Sequence, residues 1–304
     1  MAEIPQFPAF KPVELADRPW IHDVCWEYQP EVSELTFANF FIWRSHHHFH
    51  WCMDESYLLI ICPSENSEIC FAIPPIGPPP RGDISRKILK WMRDEKKIGQ
   101  PRIERADKRL IEEVQYVPDF IIESTRDHFD YVYQTEDLIN LAGRKYHSKR
   151  NHINRFMRYY TFRYKTMTRE LADECQAMAD KWCALKRCAD DMNLIGERDA
   201  VREALLHFEE LQLKGGAIMI GENVEAFSVG ELINTNMAVV HIEKANPQIP
   251  GLYTVINQQF CENALEQVPL VNREQDMGEP GLRQAKLSYN PFNLVEKFQI
   301  RLVV

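Results

Sequence analysis

The chain has 304 residues, 45% of them hydrophobic, and a formal charge of −9 from 36 basic and 45 acidic side chains. That length supports one large core or two ordinary ones, and the acidic balance excludes a protein whose whole surface grips nucleic acid or anionic lipid, because polyanions are repelled at long range. The most apolar runs, such as YLLIIC at 57–62, fall far short of the roughly 20 residues that span a bilayer, and Pro5, Pro8 and Pro12 interrupt any export-signal core, so a cytoplasmic protein without an integral membrane segment is expected.

In chain order, a proline- and aromatic-rich entry segment precedes a helix predicted over 32–43, where Leu35, Ala38 and Ile42 recur at helical spacing and Ser33 and Thr36 are cap candidates. Two β-prone runs, 57–62 and 68–73, flank the turn cluster PSENS and predict a hairpin. A proline-rich loop, 74–83, opens into a helix whose stripe is Ile84, Ile88, Leu89 and Met92, followed by a strand at 101–105, Asp107 and the helical run KRLIEEV. Strands near 120–122 and 128–133, a basic helix at 145–160 and helices at 169–185 and 199–213 come next. Then the earlier order returns: strands at 217–220 and 224–232 around Gly221-Glu222-Asn223, a strand at 237–243, the loop ANPQIPG, a helix from Leu252, and the strand PLVNREQD at 269–276. Hairpin, proline-bearing loop, helix, strand and acidic residue thus occur twice. The alternation predicts an α/β (α+β) protein of two similar units, 1–135 and 136–304, each a mixed sheet flanked by helices, with the chemistry in the second and at their junction.

Eight scattered cysteines with no C-x-x-C pair read as reduced thiols filling core positions. SHHHFHWC at 45–52 would place His46, His48 and His50 on one side of an extended segment, but without a matched second ligand pair it reads as a connector and no metal site is expected.

Three groups of residues carry candidate chemistry. Arg144, Lys145, Lys149, Arg150, Arg155 and Arg158 form a basic run without an acid; as a helix it would turn Ile153, Phe156, Met157 and Tyr160 inward and set Ser148, His152 and Arg155 outward. It reads equally as a binding face for a phosphate-bearing ligand, an RNA acceptor end or the headgroup of a lipid met peripherally, and as a solvated helix paired with acidic neighbours. Asn272, Glu274 and Asp276 alternate along a predicted strand, so all three would face one side, where with Glu231 and Glu243 they would bind a cationic amine or supply a general base; the alternative is polar strand ends paired with Arg273 or Lys286. Arg283 and Lys286, three apart on a helix and followed by Tyr289, would hold a carboxylate or stabilise an oxyanion, or bridge to the acidic strand for structure alone. G-x-S-x-G, P-loop and G-x-G-x-x-G patterns are absent, leaving hydrolase, nucleotidase and dinucleotide readings without support.

Residues 34–44 (ELTFANFFIWR), 141–156 (LAGRKYHSKRNHINRF) and 278–298 (GEPGLRQAKLSYNPFNLVEKF) resemble an uncharacterised bacterial family grouped with the C-terminal domain of phosphatidylglycerol lysyltransferases. The resemblance implies tandem GCN5-like N-acetyltransferase (GNAT) folds, also the architecture of aminoacyltransferases that use aminoacyl-tRNA. The membrane-spanning part of full-length lysyltransferases has no counterpart in these residues, which turns the expectation away from a lipid acceptor. The glycine-rich coenzyme A loop of ordinary acetyltransferases is missing from ANPQIPGLYT, where Pro247 and Pro250 each remove a backbone donor that would hold a pyrophosphate. The expected activity is therefore acyl or aminoacyl transfer to an amine or hydroxyl, with aminoacyl-tRNA favoured over acyl-CoA as donor and a tRNA acceptor end or small amine as partner. The catalytic candidates are Glu274, Asp276, Asn272 and Lys286; the substrate-binding candidates are Glu231, Glu243, Arg283, Tyr289, Arg144, Lys145, Lys149, Arg150 and Arg155. The alternative is a non-catalytic GNAT-like module that binds a ligand or RNA.

Overall fold

A computed structural model describes residues 4–63, 71–186 and 192–303. In chain order the elements are β1 (Lys11–Pro12), α1 (Arg18–Tyr28), α2 (Phe37–Ile42), α3 (Arg44–His47), β2 (His50–Asp54), β3 (Tyr57–Cys62), β4 (Phe71–Ala72), α4 (Gly82–Asp94), β5 (Arg102–Ala106), α5 (Lys108–Val114), β6 (Phe120–Ser124), β7 (Asp130–Gln134) and α6 (Thr135–Asn140). The series continues with α7 (His147–Tyr159), β8 (Phe162–Thr166), α8 (Arg169–Lys186), α9 (Met192–Leu206), β9 (Lys214–Ile220), β10 (Asn223–Asn234), β11 (Met237–Ala245), α10 (Leu252–Ala264), β12 (Leu270–Asn272), α11 (Pro280–Leu287), β13 (Asn293–Val295) and β14 (Phe298–Leu302). Among the described residues no helix is long and apolar enough to cross a membrane.

The strands form two seven-stranded sheets, ordered β1-β2-β3-β4-β5-β14-β6 and β13-β7-β12-β11-β10-β9-β8. In the first, β1 to β4 run antiparallel, α4 crosses over, and β5 lies parallel to β4. In the second, β8 to β11 run antiparallel, α10 crosses over, and β12 lies parallel to β11. The repeat read from the sequence is therefore present as a repeat of topology. A parallel neighbour needs a crossover long enough to carry the chain back along the sheet, and one helix supplies it in each unit.

Residues 1–130, 275–278 and 295–304 make one compact unit, and residues 131–274 and 279–294 the other. The units are thus not consecutive lengths of chain, as a single cut at 135/136 would make them: β14, from the very end, pairs with β5 and β6 of the first unit. In that unit the predicted stripe Ile84, Ile88, Leu89 and Met92 packs on Leu59, Ile61, Ala72, Ile103 and Ile300, each such side chain contributing roughly 1.5–3 kcal/mol when fully buried. In the second unit α10 places Leu252, Val255, Ile256 and Phe260 against Tyr131, Tyr133, Ile218 and Ala238.

Several expectations need correction. The helix expected over 32–43 is α2 alone, because the Thr36 hydroxyl accepts from the amide of Asn39 (3.1 Å) and caps it, while Ser33 binds Asp130. The helix expected over 199–213 runs from Met192 to Leu206, and Gln212 beyond it takes a positive φ of 56°. Met157 is exposed, whereas Ile153 and Phe156 turn inward as expected. The histidine tract is not extended: Arg44–His47 is a helical turn ended by His48 at φ 52°, with His46 and His47 against Trp43. Cys183, half-exposed near the end of α8, is disulfide-bonded, while Cys25, Cys52, Cys62, Cys175 and Cys261 are buried free thiols. The turn expected within 63–67 lies largely, and residues 68–70 of the strand after it wholly, outside the described residues.

Candidate functional site

The second unit is forked at its parallel pair. Strand β12 is in register with β11 for three residues, Met237↔Leu270, Ala238↔Val271 and Val239↔Asn272, and then stops, while β11 continues to Ala245. The side chain of Asn272 ends the strand: it accepts the backbone N–H of Glu274 (2.7 Å), and Glu274 enters the left-handed region at φ 57°. The predicted row of Asn272, Glu274 and Asp276 on one sheet face is therefore absent. Asp276 belongs to the first unit, fully buried, where it accepts from the amide of Gly278 (2.9 Å) and lies 3.5 Å from Arg126.

Across the fork, Glu274 meets a histidine. Strand β11 bulges between the pairs Val229↔Ile242 and Gly230↔Val240, leaving His241 without a register partner on β10. Gly230 permits the bulge, since a Cβ there would lie 2.1 Å from the Val239 carbonyl oxygen. The His241 ring is enclosed, its Nδ1 2.8 Å from Glu274 and its Nε2 2.9 Å from Glu231. Burial alone would lower its pKa, but hydrogen bonds to the two carboxylates outweigh burial and raise it to about 10. The ring is thus an imidazolium donating to a carboxylate on each side. Glu231 is buried with it, whereas 21% of the Glu274 side chain is exposed.

Glu243 takes a different partner: Arg273 donates to it (2.9 Å), as does the Asn257 amide of α10 (3.1 Å). The predicted acidic pocket is consequently split, Glu231 and Glu274 sharing His241 and Glu243 neutralised by Arg273. The Arg273 guanidinium lies over the ring of Tyr289, 4.8 Å from its centroid, and Lys149 of α7 lies over the same ring at 3.7 Å. Burial, with Arg273 adding to it, lowers the Lys149 ammonium to about 8. Lys286 donates to the Arg273 carbonyl, and its own carbonyl accepts from Tyr133 (2.9 Å), so it anchors α11 over the segment that presents Glu274. Arg283 is half-buried on α11.

The basic run divides. Lys145 pairs with Asp137 (3.0 Å), and Arg150 donates to the carbonyls of Leu141 and Gly143, tying down the end of α6. Arg144 and Arg155 are exposed and form no ion pair among the described residues. Lys149 lines an open pocket of about 310 Å³ between α7 and α11, with Ser148, His152, Gly281, Gln284, Ala285 and Ser288.

The start of α10, where an acetyltransferase of the usual kind would take a pyrophosphate, is approached closely by α7 on one side. Gly251 sits at φ 89°, and a Cβ on it would lie 2.6 Å from the His152 carbonyl oxygen and 3.3 Å from Phe156, because α7 packs against it. Gly251→Ala is expected to cost about 1–3 kcal/mol through the left-handed backbone and this contact. Thermal unfolding followed by circular dichroism tests it, and an unchanged melting temperature would contradict the close approach of α7. In the first unit the corresponding start, α4, receives a carboxylate of the chain itself: the Arg81 amide and guanidinium both donate to Glu113 (2.5 and 2.9 Å).

His241 and Arg273 were not among the candidates picked from sequence. The signal for His241 was a histidine inside an apolar strand, AVVHIEKA, where a buried imidazole requires polar partners.

The family described as "Phosphatidylglycerol lysyltransferase, C-terminal" matches residues 27–301. A conserved Bacteroides thetaiotaomicron protein of unknown function is 32% identical, with a TM-score of 0.89 over 97% of this chain and 99% of that one. The C-terminal domain of a putative lysylphosphatidylglycerol synthetase from Agrobacterium fabrum is similar in fold (TM-score 0.64, 12% identity, 95% and 92% of the two chains). So is L-PGS from Bacillus licheniformis (0.60, 12%, 87% and 86%). An uncharacterised Mycoplasmoides gallisepticum protein is 23% identical over 189 residues, 62% of this chain and 60% of that protein, so the match takes in less than two thirds of that relative's length. Two mixed sheets flanked by helices, each with one parallel pair after its crossover helix, are the fold shared with these domains, and this chain belongs to the phosphatidylglycerol lysyltransferase C-terminal family.

Proposed function

We propose that the chain is an aminoacyltransferase that takes its acyl group from aminoacyl-tRNA rather than acyl-CoA and passes it to an amine or hydroxyl. Family and fold suggest a transferase of the lysyltransferase-like type. The observation that carries the finer reading is Glu274: a partly exposed carboxylate at the open end of the β11/β12 fork, held in one orientation by His241 and by the Asn272 turn. A carboxylate so placed binds an ammonium group or receives the proton of an attacking amine. In the transfer, the nucleophile's N–C or O–C bond forms and the ester C–O bond of the donor breaks. The proton taken by Glu274 passes to the departing ribose hydroxyl. His241, itself held by Glu231, holds Glu274 by a hydrogen bond and charge, and Lys286 holds the backbone that presents it. Arg283 is the candidate for a substrate carboxylate. The close approach of α7 at Gly251, together with Pro247 and Pro250 in the loop before it, supports a donor without a pyrophosphate at the start of α10.

The purified chain is to be assayed with labelled aminoacyl-tRNA or acyl-CoA and a panel of amines and alcohols. Turnover with the former alone is the expected result, and Glu274→Gln is expected to lower it by ~10²–10⁴-fold, the usual contribution of a general base. Its melting temperature should fall only modestly, because His241 keeps Glu231 as counter-ion. Failure of every donor, or full activity in Glu274→Gln, contradicts the proposal.

A further inference from the structure

The pocket between α7 and α11 takes no part in the proton transfer, and its composition is unusual for so acidic a chain. Its lining offers the Lys149 ammonium, the His152 imidazole, the Gln284 amide and the hydroxyls of Ser148 and Ser288, with no carboxylate among them, although the chain carries −9 overall. At about 310 Å³ it has room for a small polyatomic group and part of what it is attached to.

Lys149 is desolvated without being neutralised. It rests on the Tyr289 ring and makes no ion pair or hydrogen bond among the described residues, while burial and the nearby Arg273 weaken its hold on its proton. The negative charge of an anion in the pocket would oppose both effects. Within the basic run Lys145 and Arg150 are consumed by Asp137 and by backbone carbonyls, Arg144 and Arg155 stand exposed on the surface, and Lys149 is the half-buried cation that lines the pocket.

Gly281 supplies a second, independent observation. It is the second residue of α11, its φ lies outside the left-handed region, and a Cβ built on it meets no atom within 4 Å. Neither backbone nor packing requires a glycine there, yet glycine disfavours a helix by up to about 1 kcal/mol relative to alanine. What its lack of a side chain does is keep the pocket wall open. Its N–H belongs to the first helical turn, whose amides have no intrahelical acceptor.

We propose that this pocket is a subsite for a phosphate ester, with Lys149 supplying the charge and Ser148, His152 and Gln284 hydrogen-bonding its oxygens. This deepens the transferase reading by assigning the charged group of one of its substrates, but its test reads binding alone. Inorganic phosphate, glycerol 3-phosphate and adenosine 5′-monophosphate are to be titrated into the full chain by calorimetry. Wild type should bind at least one saturably, Lys149→Met at least tenfold more weakly, and Gly281→Leu not detectably, with its melting temperature unchanged. Lys90→Gln, an exposed cation of the first unit, should match wild type. Preference for glycerol 3-phosphate or for the nucleotide names the organic part of the ester, and either supports the subsite. No saturable binding by any probe, or wild-type affinity in Lys149→Met or in Gly281→Leu, overturns it. A chain that binds phosphate but transfers no acyl group keeps this subsite and loses the transferase reading.

Discussion

Replacing His241 with leucine is expected to destabilise the protein by about 3–5 kcal/mol, the cost of leaving buried charge without its partner. Glu231 and Glu274 would face one another across an apolar side chain, with only Glu274 able to reach water. The same geometry sets a pH dependence. The folded pKa of His241, about 10, lies above its unfolded value of 6.5, so between those values the native state holds a proton that the unfolded chain releases. Its stabilisation is fully present below about pH 6.5 and is lost as pH rises through about 10, at up to roughly 1.4 kcal/mol per pH unit. Urea unfolding of wild type and His241→Gln across pH 6–10 isolates this contribution, since other titrating groups are common to both. Wild-type stability should fall toward the variant's with rising pH; parallel curves would show that the ring is not protonated.

The second large effect is expected in the first unit. Lys297 is wholly buried, its ammonium 2.6 Å from Asp130 and 2.5 Å from Glu34. Asp130, also wholly buried, accepts from the amide and hydroxyl of Ser33 (2.8 and 2.9 Å), and Glu34 is also ion-paired with Arg105 (3.0 Å). Lys297→Met removes the one cation that touches both acids among the described residues, and about 3–5 kcal/mol should be lost. The carbonyl of Lys297 accepts the amide and hydroxyl of Thr125 just before β14 pairs with β6, so a disturbance there reaches the edge of that sheet. A double variant, Lys297→Met with Asp130→Asn, should recover part of the loss, and strict additivity would show that the pair is not coupled. Burial opposes the ionisation of Glu34, but Lys297 and Arg105 overcome it and hold its carboxyl at about 2, well below the usual 4.5. The stability it contributes is present above pH 4.5 and disappears as pH falls through about 2.

Local signals in the sequence were strong where one short segment decides the outcome. The stripe of α4, the hairpin of β9 and β10, the strand β5 and the repeated order of elements follow from periodicity and turn residues, and the composition of α7 and α11 marked two helices that do line one pocket. The signals failed where a side chain competes with the backbone. Asn272 stops β12 by accepting an amide two residues on, an event that alternation does not see; of the two cap candidates Thr36 is the one that starts α2, while Ser33 is spent on Asp130. Of the candidate residues, Glu274, Glu231 and Lys149 gain distinct environments, whereas Lys145 and Arg150 prove to be braces and Asp276 lies in the other unit.

By itself, then, the sequence determined the class of the fold, its repetition, its family and the residue types available for chemistry, because each is written in local patterns of a few to a few dozen residues. Tertiary structure alone decided which charges meet. His241 lies 33 positions from Glu274 and 10 from Glu231, and Lys297 lies 167 from Asp130. Their pairing depends on a bulge in one strand, the early end of another and the return of the last strand to the first sheet, and no local pattern encodes a partner that distant.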